Sequence, residues 1–239
     1  GYLSCAYGLS CDSIESITLV NADAQILTVN STQHSDLFWA LRGGGGCQFG
    51  VVIDMTFRTY DVPKLVHGGV IEWPISECAE ILKQYNDKVL RGAKDHFLYA
   101  YISHAAAFEA RISVMGFSLA GASHSQQLFT DIANWRPGAK INLETKSYVA
   151  IQANAYEEGL STYWKNGIID SGLSAACIDD IVQCAKNCPQ DGGAIMLDPL
   201  GAAIGERALD HSAFVHRNAR FICSFTGLSD TNYLSEDIR

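Results

Sequence analysis

The chain has few basic residues. Its 239 residues include 17 Lys and Arg against 26 Asp and Glu, which gives a formal net charge of −9 at pH 7. Nucleic-acid binding needs clustered Lys and Arg, and the sequence has no basic run. It also has no uninterrupted apolar stretch of roughly 18 residues, the length that a transmembrane helix requires. We therefore expect neither a nucleic-acid partner nor a membrane span.

The eight cysteines follow no metal-binding or disulfide pattern. No Cys-x-x-Cys pair occurs, and Cys184 and Cys188 are one helical turn apart with no His pair nearby, so we expect no zinc site. The cysteine content is too low for a scaffold built on disulfides, and the cysteines are interpreted as small apolar core residues. The chain begins with Gly1 and shows no signal-peptide pattern, and this start is interpreted as a processing or truncation point. The compartment and the oligomeric state stay open.

The residues that are abundant indicate a globular protein. Hydrophobic residues make up 48% of the chain and charged residues 18%. Before Pro63, the pattern predicts a turn at 22–24, a short helix that Ser35 caps, and strands over 14–21, 25–29 and 51–60.

After Pro63 the pattern changes, and we place a domain boundary near residues 61–66. Amphipathic helices are predicted over about 76–90, 123–135 and 174–187. Strands are predicted over 65–73, 97–103, 110–119, 163–169, 193–197 and 220–227. Strands and amphipathic helices without glycine-rich crossovers indicate an α+β fold, with a sheet covered by helices on one face.

Four consecutive glycines, Gly43 to Gly46, follow the short helix and precede a strand. Nucleotide-binding folds have the order strand, glycines, helix, which points the positive helix N-terminus at a phosphate. The order here is helix, glycines, strand, which excludes a Rossmann fold and a P-loop. Either the loop brings the backbone close to a bulky group, which glycine permits, or it is a flexible helix end and turn.

Several motifs occur together in one order. The most specific is Asp36-Leu-Phe-Trp-Ala-Leu-Arg-Gly-Gly-Gly-Gly46, followed by Phe49-Gly-Val-Val52. Upstream stand Tyr7-Gly-Leu-Ser-Cys-Asp12 and the turn at 22–24; downstream stand Tyr163-Trp-Lys165 and Phe214-Val-His-Arg217. This order resembles the berberine-bridge-enzyme-like FAD oxidases of the vanillyl-alcohol-oxidase, or PCMH-type, superfamily. Some loop residues depart from the family's usual ones, which affects the details of flavin contact: Cys5, Ser13, Ala24 and Gln48.

The resemblance implies an FAD-dependent oxidoreductase. Such an enzyme oxidises an alcohol, a sugar or a natural product by hydride transfer to flavin N5, and molecular oxygen is one acceptor. Residues 1–63 would be the end of a PCMH-type FAD-binding domain, and residues 64–239 an incomplete substrate domain with an antiparallel sheet. The family's covalent flavin anchors would precede Gly1 and its tyrosine base would follow Arg239. The chain is thus interpreted as a fragment without a catalytic residue of its own, which retains FAD poorly because its FAD domain is cut.

The resemblance also suggests cofactor-side residues. Gly50, Val51 and Val52 would supply backbone contacts to FAD, although Val51 also fits a plain sheet core. Asp12 would orient the neighbouring loop, although it also fits a surface turn.

The substrate-side candidates are Tyr99, Tyr101, Lys165 and His216. Tyr99 and Tyr101 are two positions apart on a strand and therefore share a face, which would roof the flavin. Lys165 would stabilise developing negative charge. The competing interpretations are a core or exposed aromatic pair, a solvated lysine and a structural histidine. Two further functions stay open: a non-catalytic binding module derived from such an enzyme, and a plain structural domain.

Overall fold

The computed structural model describes residues 1–89, 93–105, 108–153, 161–187 and 192–229. These residues form two sheets, one of three strands and one of seven, in which neighbouring strands are antiparallel. In this part of the chain, no helix has the length and hydropathy needed to cross a membrane.

The smaller sheet lies in the first 57 residues. Its strands are β1 (Ile14–Val20), β2 (Ile26–Asn30) and β3 (Val51–Phe57), in the order β2-β1-β3. A four-residue helix α1 (Ser4–Tyr7) precedes it, and α2 (Ser35–Leu41) connects β2 to β3. Phe38 of α2 packs against Ile17, Leu19 and Val29, so one face of the sheet is buried under this helix.

The predicted cap of α2 is wrong. The N-cap position is His34, in the left-handed conformation at φ 48°, and Ser35 is the first helical residue. The side chain of Asn30 accepts hydrogen bonds from the backbone N–H groups of Thr32 and Gln33, which closes the preceding loop. No side chain makes a cap hydrogen bond at the start of α2.

The larger sheet has the order β7-β4-β6-β5-β9-β10-β8. Its strands are β4 (Val66–Pro74), β5 (His96–Ala105), β6 (Phe108–Ser118), β7 (Lys140–Lys146), β8 (Ser161–Ile169), β9 (Gly193–Pro199) and β10 (Phe221–Ser229). Its helices are α3 (Cys78–Lys88), α4 (Ala122–Ala133), α5 (Tyr148–Ala153) and α6 (Ala175–Lys186). The sequence did not predict β7 and α5, because β7 is a polar edge strand and α5 is short. The predicted helix end at Leu90 lies outside the described residues.

Three helices, α3, α4 and α6, cover one face of the larger sheet. Trp73 of β4 is fully buried there, and its ring stacks on Trp135 at 6.5 Å. Tyr85 of α3 is also fully buried, and its hydroxyl lies 2.9 Å from the carbonyl oxygens of Leu98 and Leu197. This layer confirms the α+β fold with helices on one face of an antiparallel sheet.

The cysteines are only partly core residues. Cys5, Cys78 and Cys223 are buried, as interpreted, and burial raises the pKa of Cys78 to about 12. Cys47 and Cys184 are exposed, so that interpretation is wrong for them. Cys47 lies in the glycine-rich loop, where the chain passes over the surface, and Cys184 lies on the outer side of α6.

The segment 200–220, between β9 and β10, returns to the first part of the chain. The backbone N–H of Ala213 donates to the carbonyl of Trp39, and the Trp39 indole donates to the carbonyl of Asp210 at 2.8 Å. The three-stranded sheet ends at residue 57 and the seven-stranded sheet begins at residue 66. The segment 200–220, however, connects the larger sheet to the first part of the chain. The division at 63/64 therefore stays a prediction.

Candidate cofactor and substrate site

Tyr99 and Tyr101 lie on the face of the larger sheet that α3, α4 and α6 do not cover, which we call the open face. Their neighbours Leu98, Ala100 and Ile102 belong to the helix-covered core, and side chains alternate along a strand. The Tyr99 ring stacks on Tyr2, with 6.1 Å between centroids and 13° between planes. Burial, and then the Tyr2 phenol, raise the pKa of Tyr99, so its hydroxyl is neutral at physiological pH.

Lys165 is not on the face of the two tyrosines. It pairs in register with Phe225. Ile169 is four positions further along the same strand and therefore on the same face, and it packs against the helix-covered core. The side chain is exposed on the edge strand β8, with its ammonium 5.6 Å from the centre of the Tyr163 ring.

His216 lies in the segment 200–220 and not on a strand of the larger sheet. It is exposed, and its ring contacts Phe214 edge-on at 5.7 Å. The structure therefore places Tyr99 and Tyr101 on one face of the sheet, Lys165 on the other face, and His216 in the segment 200–220.

Asp198 is a residue of the open face that the sequence reasoning missed. It follows Leu197, which pairs with Ala100 and belongs to the helix-covered core, so Asp198 points to the opposite side. Its carboxylate acts electrostatically on Tyr99, and burial raises the pKa of Asp198. The available signal was a charged residue at the end of the otherwise apolar run Gly193–Pro199.

The stretch that includes Gly50, Val51 and Val52 is exposed. Val51 is 69% exposed and is therefore not a residue of the sheet core. Gly50 has φ 145°, and a Cβ there would lie 2.3 Å from the carbonyl oxygen of Val20, so this position requires glycine for the start of β3. All seven residues of β3 are exposed, and the strand pairs with β1 along one edge.

The four glycines of the loop have different roles. A Cβ at Gly43 would lie 2.6 Å from the backbone nitrogen of Phe214, and one at Gly44 would lie 2.5 Å from the carbonyl oxygen of Ala40. These two glycines are required by contacts within the chain. At Gly46, by contrast, an added Cβ would meet no atom of the described residues within 4 Å.

Asp12 is buried in an ion pair, and not in a surface turn. Asp12 is 3% exposed and Arg217 is 1% exposed. The Arg217 guanidinium donates to both carboxylate oxygens, at 2.8 and 2.6 Å, and to the Ser212 hydroxyl at 2.7 Å. Asp12 also accepts from the backbone N–H of Leu9 at 2.9 Å, so it orients the neighbouring loop as well as the segment 200–220.

This ion pair stabilises the segment against which the glycine loop packs. Arg217 fixes the segment that contains Phe214, and Phe214 packs against Gly43. Arg42, at the end of α2, donates to the carbonyl of His211 at 2.8 Å. The loop is thus anchored through its first two glycines and open to solvent beyond them.

The exposed stretch from Gly45 to Phe57 could hold a cofactor. Gly46 leaves free space above the backbone, and the adjoining side chains Phe49, Val51 and Ile53 are apolar and exposed. Exposed apolar side chains close together often mark a surface that another group covers. These residues would hold the cofactor by backbone contacts and apolar packing.

Relatives of known class match most of the chain, although no protein-family model matches it. An uncharacterized FAD-linked oxidoreductase of Bacillus subtilis is 26% identical over 229 residues, which cover 92% of this chain and 50% of the relative. The (R)-6-hydroxynicotine oxidase of Paenarthrobacter nicotinovorans is 26% identical over 217 residues, covering 86% of this chain and 46% of that enzyme.

Solved structures share the fold. A berberine-bridge-enzyme-like protein of Arabidopsis thaliana superposes with a TM-score of 0.81 at 22% identity, covering 95% of this chain and 50% of that one. The chain spans about half the length of the relatives that it matches. It is therefore a homologue of FAD-linked oxidoreductases and has the fold of berberine-bridge-enzyme-like proteins over about half of their length.

Proposed function

We propose that this chain forms part of an FAD-dependent oxidoreductase that oxidises an alcohol, a sugar or a natural product. The observation that supports this most directly is the glycine loop. Gly43 and Gly44 are required by packing within the chain, whereas Gly46 is exposed and faces free space. A glycine without a packing requirement of its own, inside the motif shared with flavin enzymes, is explained by the approach of a bulky cofactor.

FAD, when bound, supplies the acceptor for the hydride that leaves the substrate. The chain would contribute the loop and the β3 edge to the cofactor, and the open face of the larger sheet to the substrate. Tyr99 would present a neutral hydroxyl and an aromatic ring there, with Tyr101 beside it. We propose molecular oxygen as the final acceptor, as in the oxidases that this chain resembles.

Titration of the chain with FAD tests the cofactor proposal. We expect saturable quenching of flavin fluorescence and weak affinity, because the chain spans about half of its relatives. Gly46→Val should weaken FAD binding at least tenfold, or about 1.4 kcal/mol, because the side chain occupies the space assigned to the cofactor.

Gly167→Val is the matched control. A Cβ at Gly167 also meets no described atom within 4 Å, but this glycine lies on β8 in the larger sheet. This variant should bind FAD as the wild type does. Absence of saturable binding by the wild type, or equal weakening in both variants, would contradict the assignment of the loop.

A further inference from the structure

A cleft lies on the open face of the larger sheet, where β4, β5, β6 and β7 meet the N-terminal residues. Its volume is about 230 Å³. It is lined by Tyr2, Gly68, Gly69, Val70, Phe97, Tyr99, Met115, Gly116, Phe117, Asn142, Glu144 and Ile151. Small-molecule sites usually measure about 300–1,000 Å³, so the cleft has room for one ring system and not for a whole large ligand.

Aromatic rings form one wall of this cleft. Tyr2 is the central ring: its centroid lies 5.3 Å from that of Phe97, and 6.1 Å from those of Tyr99 and Phe117. The Tyr2 and Tyr99 planes are nearly parallel. On the adjoining strand β4, Gly68 pairs in register with Phe117. The aromatic wall therefore adjoins a position without a side chain, which leaves room beside the rings.

Polar side chains are few in the cleft. Of the described residues that line it, Tyr2 and Tyr99 carry phenols, and Asn142 and Glu144 carry an amide and a carboxylate. Glu144 already pairs with Lys146. A sugar ring would bring several hydroxyl groups, and burying each one without a hydrogen-bond partner is unfavourable. A planar aromatic ring needs few hydrogen bonds and stacks favourably on tyrosine and phenylalanine.

We infer that the cleft binds a planar aromatic ring that carries one hydroxyl group, and that it disfavours a sugar. This inference rests on the proposed function in identifying the ring as part of the substrate. The aromatic wall receives the face of the ring. Asn142, on the edge strand β7, receives its hydroxyl group.

Binding of small probes to the chain without FAD tests this inference. The probes are 2-naphthol, its saturated analogue decahydro-2-naphthol, and glucose, followed by ligand-observed NMR titration. We expect 2-naphthol to bind at least tenfold more tightly than either of the other two. Equal binding of the saturated analogue, or tighter binding of glucose, would overturn the inference.

Variants locate the bound probe. Tyr99→Leu keeps apolar volume but removes the ring, and should weaken 2-naphthol about tenfold. Tyr2→Leu should have a similar effect and provides a second test if Tyr99→Leu does not fold. Trp164→Leu removes an exposed aromatic residue at the far edge of the sheet and should leave the affinity unchanged. Unchanged affinity in both tyrosine variants would place the probe elsewhere and refute the site.

The result is independent of the flavin titration. If 2-naphthol binds in the cleft and FAD does not bind the chain, the aromatic site stands and the proposed oxidoreductase function fails. If FAD binds and 2-naphthol does not, the proposed function stands and the substrate class is wrong.

Discussion

Replacing Arg217 with Met is expected to lower the free energy of unfolding by about 3–5 kcal/mol. The substitution leaves the Asp12 carboxylate buried without its bidentate partner, at a position that is 3% exposed. It also releases the Ser212 hydroxyl. Urea denaturation of the wild type and the variant, followed by circular dichroism, measures the difference.

The surface pair Lys83–Glu80 provides the control for this prediction. Both side chains are 49% exposed, so Lys83→Met should change the free energy of unfolding far less than Arg217→Met does. The double variant Asp12→Leu with Arg217→Met should regain part of the loss, because it removes the unpaired charge as well. A loss for Arg217→Met no larger than that for Lys83→Met would show that the pair contributes little.

The same pair predicts a pH dependence. Burial alone would raise the pKa of Asp12, but the hydrogen bonds from Arg217 and the Leu9 N–H outweigh it and lower the pKa. A carboxyl whose pKa is lowered by folding adds stability above its unfolded pKa of about 3.9, and that stability is lost as the pH falls. The difference between the wild type and Arg217→Met should therefore shrink below about pH 4.

Trp73→Ala is expected to destabilise the larger sheet by about 3–5 kcal/mol. Trp73 is 0% exposed, stacks on Trp135, and its indole donates to the carbonyl of Arg136 at 3.1 Å. Truncation leaves a cavity between β4 and the helix layer and an unpaired carbonyl. Thermal and urea unfolding, with near-ultraviolet circular dichroism to report the packing of the remaining tryptophans, measure the effect.

Trp164 is the matched control for Trp73. It is 55% exposed on the edge strand β8, and Trp164→Ala should change the stability by no more than about 0.5 kcal/mol. Comparable losses in the two variants would mean that the helix-covered face is not the principal core of the chain.

Local patterns determined much of this protein. The two-residue period placed Tyr99 and Tyr101 on one face, since alternation along a strand needs no knowledge of its neighbours. The order helix, glycines, strand excluded a Rossmann fold and a P-loop, because the direction of a helix dipole follows from chain order alone. The motifs around the glycines gave the family resemblance, which the homologues and the shared fold confirm.

The tertiary structure decided what depends on distant pairing. Asp12 and Arg217 are 205 positions apart, so no local pattern could join them, and Asp12 seemed equally suited to a surface turn. Lys165 lies on the helix-covered side because its pairing with Phe225 sets its face. The sequence pattern did not reveal this face, because β8 has an aromatic residue at an odd position, Tyr163, and at an even position, Trp164. Gly43 and Gly46 belong to one run of glycines, and the sequence does not distinguish them. The packing of Phe214 against Gly43 does. The period of a strand is local, whereas register and loop packing depend on contacts between segments far apart in the chain.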